Sequence, residues 1–167
     1  MTASAQVLNR FLSDGELYHT AGRGTPETAS CNSTAVAHTA SNDFDGPIAI
    51  LVDQRTASGA EITAEILRRR RHAVLVGGHT FGRNSIQMLF PLEERNVFLK
   101  LTTSIIKFPD GGTIPHDGLI PDIPVYISSA RQDEIIRAWR SYLQGKSRAS
   151  GPTEFDPVLK AAIETLK

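Results

Sequence analysis

Ser58 stands where a side chain can do chemistry. Gly46 to Asp53 (GPIAILVD) has the apolar density of a buried strand, and after Gln54-Arg55-Thr56-Ala57 the run Ser58-Gly59-Ala60-Glu61-Ile62 opens a helical pattern. A serine at a strand-to-helix junction presents its hydroxyl at the end of a sheet. The helix N-terminus beside it offers free N–H groups and a positive dipole end. Those are the needs of a nucleophile and of the oxyanion it creates. The same spacing has a second meaning, because Ser58 with Glu61 three residues later is also a capping box that starts a helix without any chemistry.

Four motifs in order and at compatible spacings, the first of them holding the serine, and a tail segment set it in a larger pattern. Thr56-Ala57-Ser58-Gly59-Ala60-Glu61-Ile62 resembles an S-A-S-A-S-E-I segment. Val76-Gly77-Gly78-His79-Thr80-Phe81-Gly82-Arg83-Asn84-Ser85-Ile86-Gln87 resembles V-G-x-x-T-F-G-K-G-S-V-Q. Leu99-Lys100-Leu101-Thr102-Thr103 and Gly118-Leu119-Ile120-Pro121-Asp122-Ile123 complete the set, and Asp156-Pro157-Val158-Leu159 opens a last helix. Together they resemble the carboxy-terminal processing, or tail-specific, serine proteases over nearly the whole chain, most weakly over residues 21–45. The resemblance implies an α/β fold with a crotonase/ClpP-like core of βαβ units, mixed sheet and flanking helices. It implies that Ser58 is the nucleophile, that Gly59 N–H serves the oxyanion, and that Gln87 orients the general base. The substrate would be a protein or peptide bound as an extended strand and cleaved near its C-terminal tail.

Position 83 departs from the pattern. The family's base is a lysine 25 residues after the serine, and this chain has Arg83 there. A desolvated lysine can lose its proton and take one from serine, whereas a guanidinium with pKa above about 12 cannot. Losing a general base commonly costs about 10²–10⁴ in rate. Three readings follow. The chain is a pseudoprotease that keeps the peptide groove, Arg83 is an inactivating change, or another base serves, with His79 and His116 the neutral-pH candidates. Tricorn-type relatives use a histidine with their serine. Lys100 already has a place in the strand motif. An acyl hydrolase on the same fold type is a further alternative.

The front of the chain departs as well. The resemblance implies a PDZ domain and a strand ending in D-L-R-x-N-x-G-G before the helix matched by Thr2 to Leu12, and neither is present in these 167 residues. The Gly-Gly segment ordinarily adds a second oxyanion donor, worth about 2.7–4 kcal/mol. Met1 is then an internal methionine of a longer protein or the start of an excised segment, and partnership with a missing segment or with a second copy is expected at the open sheet edge.

Composition narrows the function classes. A chain of 167 residues can bury about 70% of its unfolded surface. Eighteen basic and eighteen acidic residues cancel, so no global field favours nucleic acid or anionic membrane. Arg68-Arg69-Arg70-Arg71 reads as the solvated end of the Ser58 helix, where cations complement the dipole. Cys31 has no intrachain partner. There is no apolar run of membrane-spanning length and no signal-peptide pattern, and the family implies a periplasmic or otherwise extracytoplasmic setting. No metal is expected, since no ligand spacing such as H-E-x-x-H occurs, and no organic cofactor.

The elements that must position Ser58 follow from periodicity. Residues 2–12 read as a helix, 16–20 as a short strand, and 21–45 as a variable loop. Strand 47–52 reads as central and covered on both faces. Helix 58–71 turns Ile62, Ile66 and Leu67 inward, and strand 73–77 follows it. Strands near 86–90 and 97–107 flank a turn at 93–96, and Pro109-Asp110-Gly111-Gly112 marks a hairpin. Helix 130–143 turns Ile135, Ile136, Trp139 and Leu143 inward. The expected organisation is a core over 1–144, a linker over 145–155, and a C-terminal helix over 156–167 that packs on the core.

Overall fold

The computed structural model describes residues 3–22, 33–37, 44–92 and 97–167. Helix α1 (Ala3–Leu8) buries Ala5 and Leu8. It is shorter than the sequence implies, because Arg10 N–H and Phe11 N–H turn back to Val7 O and Leu8 O in tighter i to i−3 bonds. Leu12 is still buried beyond the helix end. Strand β1 (Glu16–Gly22) pairs antiparallel with β2 (Thr34–Val36). The latter corrects the reading of 21–45 as loop throughout: three residues with small or β-branched side chains find a ladder on β1. Cys31 and the turn at 93–96 lie outside the described residues.

The unit that carries Ser58 is β3 (Ala49–Val52), helix α2 (Gly59–Arg71) and β4 (Val74–Gly77), with β3 and β4 parallel. Ile62, Ile66 and Leu67 of α2 are buried with Val52 and Leu75, as the 3.6-residue period requires. Strands β5 (Ser85–Leu92) and β6 (Val97–Lys107) form the long antiparallel pair, and β7 (Ile123–Pro124) adds to β4 in parallel. The strands divide into a four-stranded antiparallel sheet, order β2-β1-β6-β5, and a three-stranded parallel sheet, order β3-β4-β7. Helices α3 (Ser129–Leu143) and α4 (Pro157–Thr165) close the chain, and α4 packs on β3 and β4. Asp156 caps α4 by accepting from Val158 N–H and Leu159 N–H. This is the mixed α/β class implied by the motifs.

Two expectations are corrected and a third is refined. Among the described residues β3 is an edge strand of its sheet, not a central one, and Leu51 is 42% exposed. An apolar run meets its needs equally with a helix on one face and a cavity wall on the other. Leu143, expected inward, is 77% exposed at the last turn of α3, and Ile135 is the buried residue of that helix. The arginine run does end α2, with Arg69 and Arg70 exposed, but its guanidinium groups also have partners from other parts of the chain. Arg69 reaches Glu65 and Asp110, Arg70 reaches Asp14, and Arg71 donates to Phe11 O and Phe44 O.

The Pro109–Gly112 turn forms. Gly111 N–H and Phe108 N–H close it, and Gly112 N–H donates to Asp110 Oδ1. That bond, with the Arg69 guanidinium nearby, holds the Asp110 carboxyl below its usual range. No strand follows directly on its far side among the described residues.

Candidate active site

The loop from β3 into α2 is shaped by Asp53. Its Oδ1 accepts from Arg55 N–H at 2.8 Å and Thr56 N–H at 3.1 Å, and its own N–H donates to Thr56 Oγ1 at 3.1 Å. An aspartate turning the backbone over itself in this way fixes the next residues. Ser58 then takes φ 55° and ψ −117°, in the half of backbone space that ordinary side chains avoid. Conformations of this kind cost of order 1–3 kcal/mol and persist only where the surroundings impose them. Here the surroundings include the Asp53 turn before Ser58 and Glu61 after it.

Glu61 is completely buried. Its Oε2 accepts from Ser58 N–H at 2.8 Å and from Arg83 N–H at 2.9 Å. Its Oε1 accepts from Gly82 N–H at 2.7 Å and from Thr80 Oγ1. One carboxylate thus binds the backbone of the serine and the backbone of position 83 through the same oxygen. Ionised carboxylates accept the strongest such bonds, and the N-terminus of α2 adds its dipole. Thr80 Oγ1 also accepts from Leu119 N–H at 2.7 Å, and Phe81 N–H donates to Thr56 O at 2.9 Å.

The 80–83 loop comes this close to its neighbours because two positions lack side chains. Gly82, at φ 86°, would place a Cβ 2.1 Å from His116 O, and Gly118, at φ 83°, would place one 2.1 Å from Thr80 O. Each requires glycine for both conformation and space. Asp122, from the closing motif, accepts from Leu75 N–H at 2.8 Å and so ties the segment before β7 to β4.

The site residues expected from sequence fall into separate places. Ser58 is half-buried and shares Glu61 with the Arg83 backbone. The Arg83 side chain is exposed, with its guanidinium carbon 5.0 Å from the centre of the Phe81 ring. Arg83 and His116 line one surface cavity, whose walls do not include Ser58. His79 is exposed and faces a different cavity. Gln87 is exposed on β5, opposite Thr102, and its side chain makes no hydrogen bond to the described residues. Gly59 opens α2 with space around it, the nearest atom to a built Cβ being Ser4 Cβ at 3.8 Å. The residues that bind the loops together, Asp53, Thr80 and the second role of Glu61, were not singled out by sequence. The capping-box spacing pointed to Glu61, but only as a helix start.

This geometry agrees with comparisons to known proteins. The model of peptidase family S41 matches residues 1–125. A carboxy-terminal-processing protease of Bartonella bacilliformis is 34% identical over 119 residues, which are 71% of this chain and 26% of that protein. A carboxyl-terminal-processing protease of Synechocystis is 32% identical over 123 residues, 73% of this chain and 27% of that protein. Among solved structures, a photosystem II D1 C-terminal processing protease superposes with a TM-score of 0.57 at 25% identity, over 74% of this chain and 30% of that one. The chain therefore spans about a quarter of the length of these curated relatives. With the serine at the strand-to-helix junction, the ordered motifs and the family model in agreement, the chain belongs to peptidase family S41.

Proposed function

We propose that this chain is the catalytic core of a serine endopeptidase that cleaves proteins near their C-terminal tails, with the Ser58 machinery assembled and its general base replaced. One observation carries the reading: the Glu61 carboxylate holds Ser58, at φ 55°, and position 83 on a single oxygen. In the hydrolytic step Ser58 Oγ attacks the scissile carbonyl and forms a C–O bond while the carbonyl π pair moves to oxygen. Gly59 N–H and the positive end of α2 stabilise that oxyanion. The serine proton must pass to a base and then to the leaving amine. A lysine at 83 could do both, and Arg83 can do neither.

Arg83 is also the specific observation that favours a second reading, a pseudoprotease that binds extended peptides without cutting them. No helix among the described residues is long and apolar enough to cross a membrane, and an extracytoplasmic setting remains part of the proposal on family grounds.

Cleavage of an unfolded protein such as casein by the chain, by Ser58→Ala and by Arg83→Lys separates the readings. The expected result is hydrolysis by Arg83→Lys at a rate about 10² or more above the chain as it stands, and none by Ser58→Ala. Cleavage by the unaltered chain that Ser58→Ala abolishes would move the base to His116 or His79. Peptide binding without cleavage in all three would count against the replaced base as the sole lesion and favour either a missing oxyanion donor or the pseudoprotease.

A further inference from the structure

A cavity of about 580 Å³ opens where the carboxyl ends of β3, β4 and β7 meet α3 and the start of α4. That volume lies within the range of small-ligand sites. Much of its wall comes from residues 126–158, outside the stretch that the family model matches. Ile135, Ile136, Val158 and Trp139 give that wall an apolar side, and two carboxylates, Asp53 and Asp156, are set into the remainder, which is polar.

The bonds of these carboxylates are all to neutral donors. Asp53 accepts from backbone N–H groups and from the Gln132 side-chain amide. Asp156, only 7% exposed, accepts from Val158 N–H, Leu159 N–H and, at 2.8 Å, Trp139 Nε1. Neither has a cationic partner among the described residues, and no lysine or arginine lines the cavity. Hydrogen bonds satisfy the lone pairs and the α4 dipole favours Asp156, but two negative charges still face one partly apolar space. Buried charge of this kind ordinarily meets an opposite charge. An apolar side with an aromatic ring and net negative charge matches a long aliphatic stem that ends in a cation.

We infer that this cavity takes the side chain of a lysine or arginine from a bound polypeptide. The stem lies against Ile135, Ile136 and Val158, and the ammonium or guanidinium sits between Asp53 and Asp156 beside Trp139. Gln54 and His79 also line the cavity, and they begin the two loops that carry Ser58 and Arg83. An occupied cavity therefore fixes a polypeptide next to both loops. From the proposed function this takes only that the ligand is a polypeptide.

Trp139 is the sole tryptophan, so its emission and its single indole N–H resonance report on the cavity directly. The chain would be titrated with N-acetyl-lysine methylamide, N-acetyl-arginine methylamide and N-acetyl-norleucine methylamide, the last having the lysine stem without its ammonium. The expected result is a saturable shift with lysine or arginine and binding at least about tenfold weaker with norleucine. Asp53→Asn should remove that preference. Asp156→Asn, which keeps a good helix cap, should weaken it independently, so a loop disturbance in the first variant does not decide the matter. Equal binding of norleucine, or no saturable shift with any of the three, would overturn the assignment. No cleavage is read, so failure here is distinct from failure of the Ser58 reading.

Discussion

A glutamate at the third position of a helix usually closes a capping box and can be trimmed at a cost near 1 kcal/mol. Glu61 has a larger role, since three backbone N–H groups and a threonine hydroxyl share its two oxygens in a fully buried place. Removing an acceptor from a buried donor costs about 1–3 kcal/mol per group left unsatisfied. Glu61→Ala should therefore destabilise the chain by about 3 kcal/mol or more in urea unfolding. Glu61→Gln keeps the shape but turns an NH₂ toward at least one of four donors, and should cost about 1–3 kcal/mol. On the proposed function, Glu61→Gln in the Arg83→Lys background should lower kcat more than it raises KM, because it displaces Ser58 and position 83 relative to each other. A purely structural glutamate would lower the folded fraction and leave the kinetics of the folded enzyme unchanged.

At the scale of elements, the four arginines that end α2 are clamps of unequal strength. Arg71, its side chain 15% exposed, donates to two main-chain carbonyls, Phe11 O at 2.8 Å and Phe44 O at 2.9 Å, so it joins the end of α1 to the approach to β3. Charge-assisted bonds of this kind are worth about 1.5–3 kcal/mol. Arg70 donates to one main-chain carbonyl, Asp14 O at 2.8 Å, and its ion pair with the almost fully exposed Asp14 side chain adds about 0–1 kcal/mol. Arg71→Ala should accordingly cost about 1 kcal/mol more than Arg70→Ala in chemical denaturation, the difference being one further main-chain carbonyl bond in a less exposed place. Sequence showed the arginines but not their distant partners, since Asp14 and Asp110 and the carbonyls of Phe11 and Phe44 lie far from α2 along the chain. The same limit explains what else was and was not legible. The α2 face, the β5–β6 pair and the Asp156 cap rest on local period and local chemistry, and they appear as expected. The edge position of β3 and the exposure of Leu143 depend on what packs alongside, which period alone does not state. In the site, Ser58 and position 83 were legible because motif spacing names them. Their link through Glu61 was not, because a capping box and a loop anchor share one spacing.

For the whole molecule, zero formal net charge coincides with apolar surface that the fold does not cover. Leu89, Leu92, Val97, Phe98, Leu99 and Leu101 are all exposed on the outer part of the β5–β6 pair. Strand β5 is the edge of its sheet among the described residues and carries no charged side chain from Ser85 to Leu92. Native edges are ordinarily guarded by charge, proline or a bulge. This one has only Pro91 near its end and a register shift between Ile86 and Gln87. With no net repulsion to keep copies apart, the chain should associate as concentration rises, and sulfate should strengthen the association. Leu89→Lys with Phe98→Lys introduces two charges at exposed positions, where substitutions usually change stability by no more than about 0.5 kcal/mol. In sedimentation velocity the double variant should stay monomeric at concentrations where the unaltered chain does not, with an unchanged urea midpoint. If it associates as before, the apolar end of β5–β6 is not the contact. The open edge of β3 then becomes the surface to charge next, since its ladder also ends unpaired among the described residues and Leu51 on it is 42% exposed.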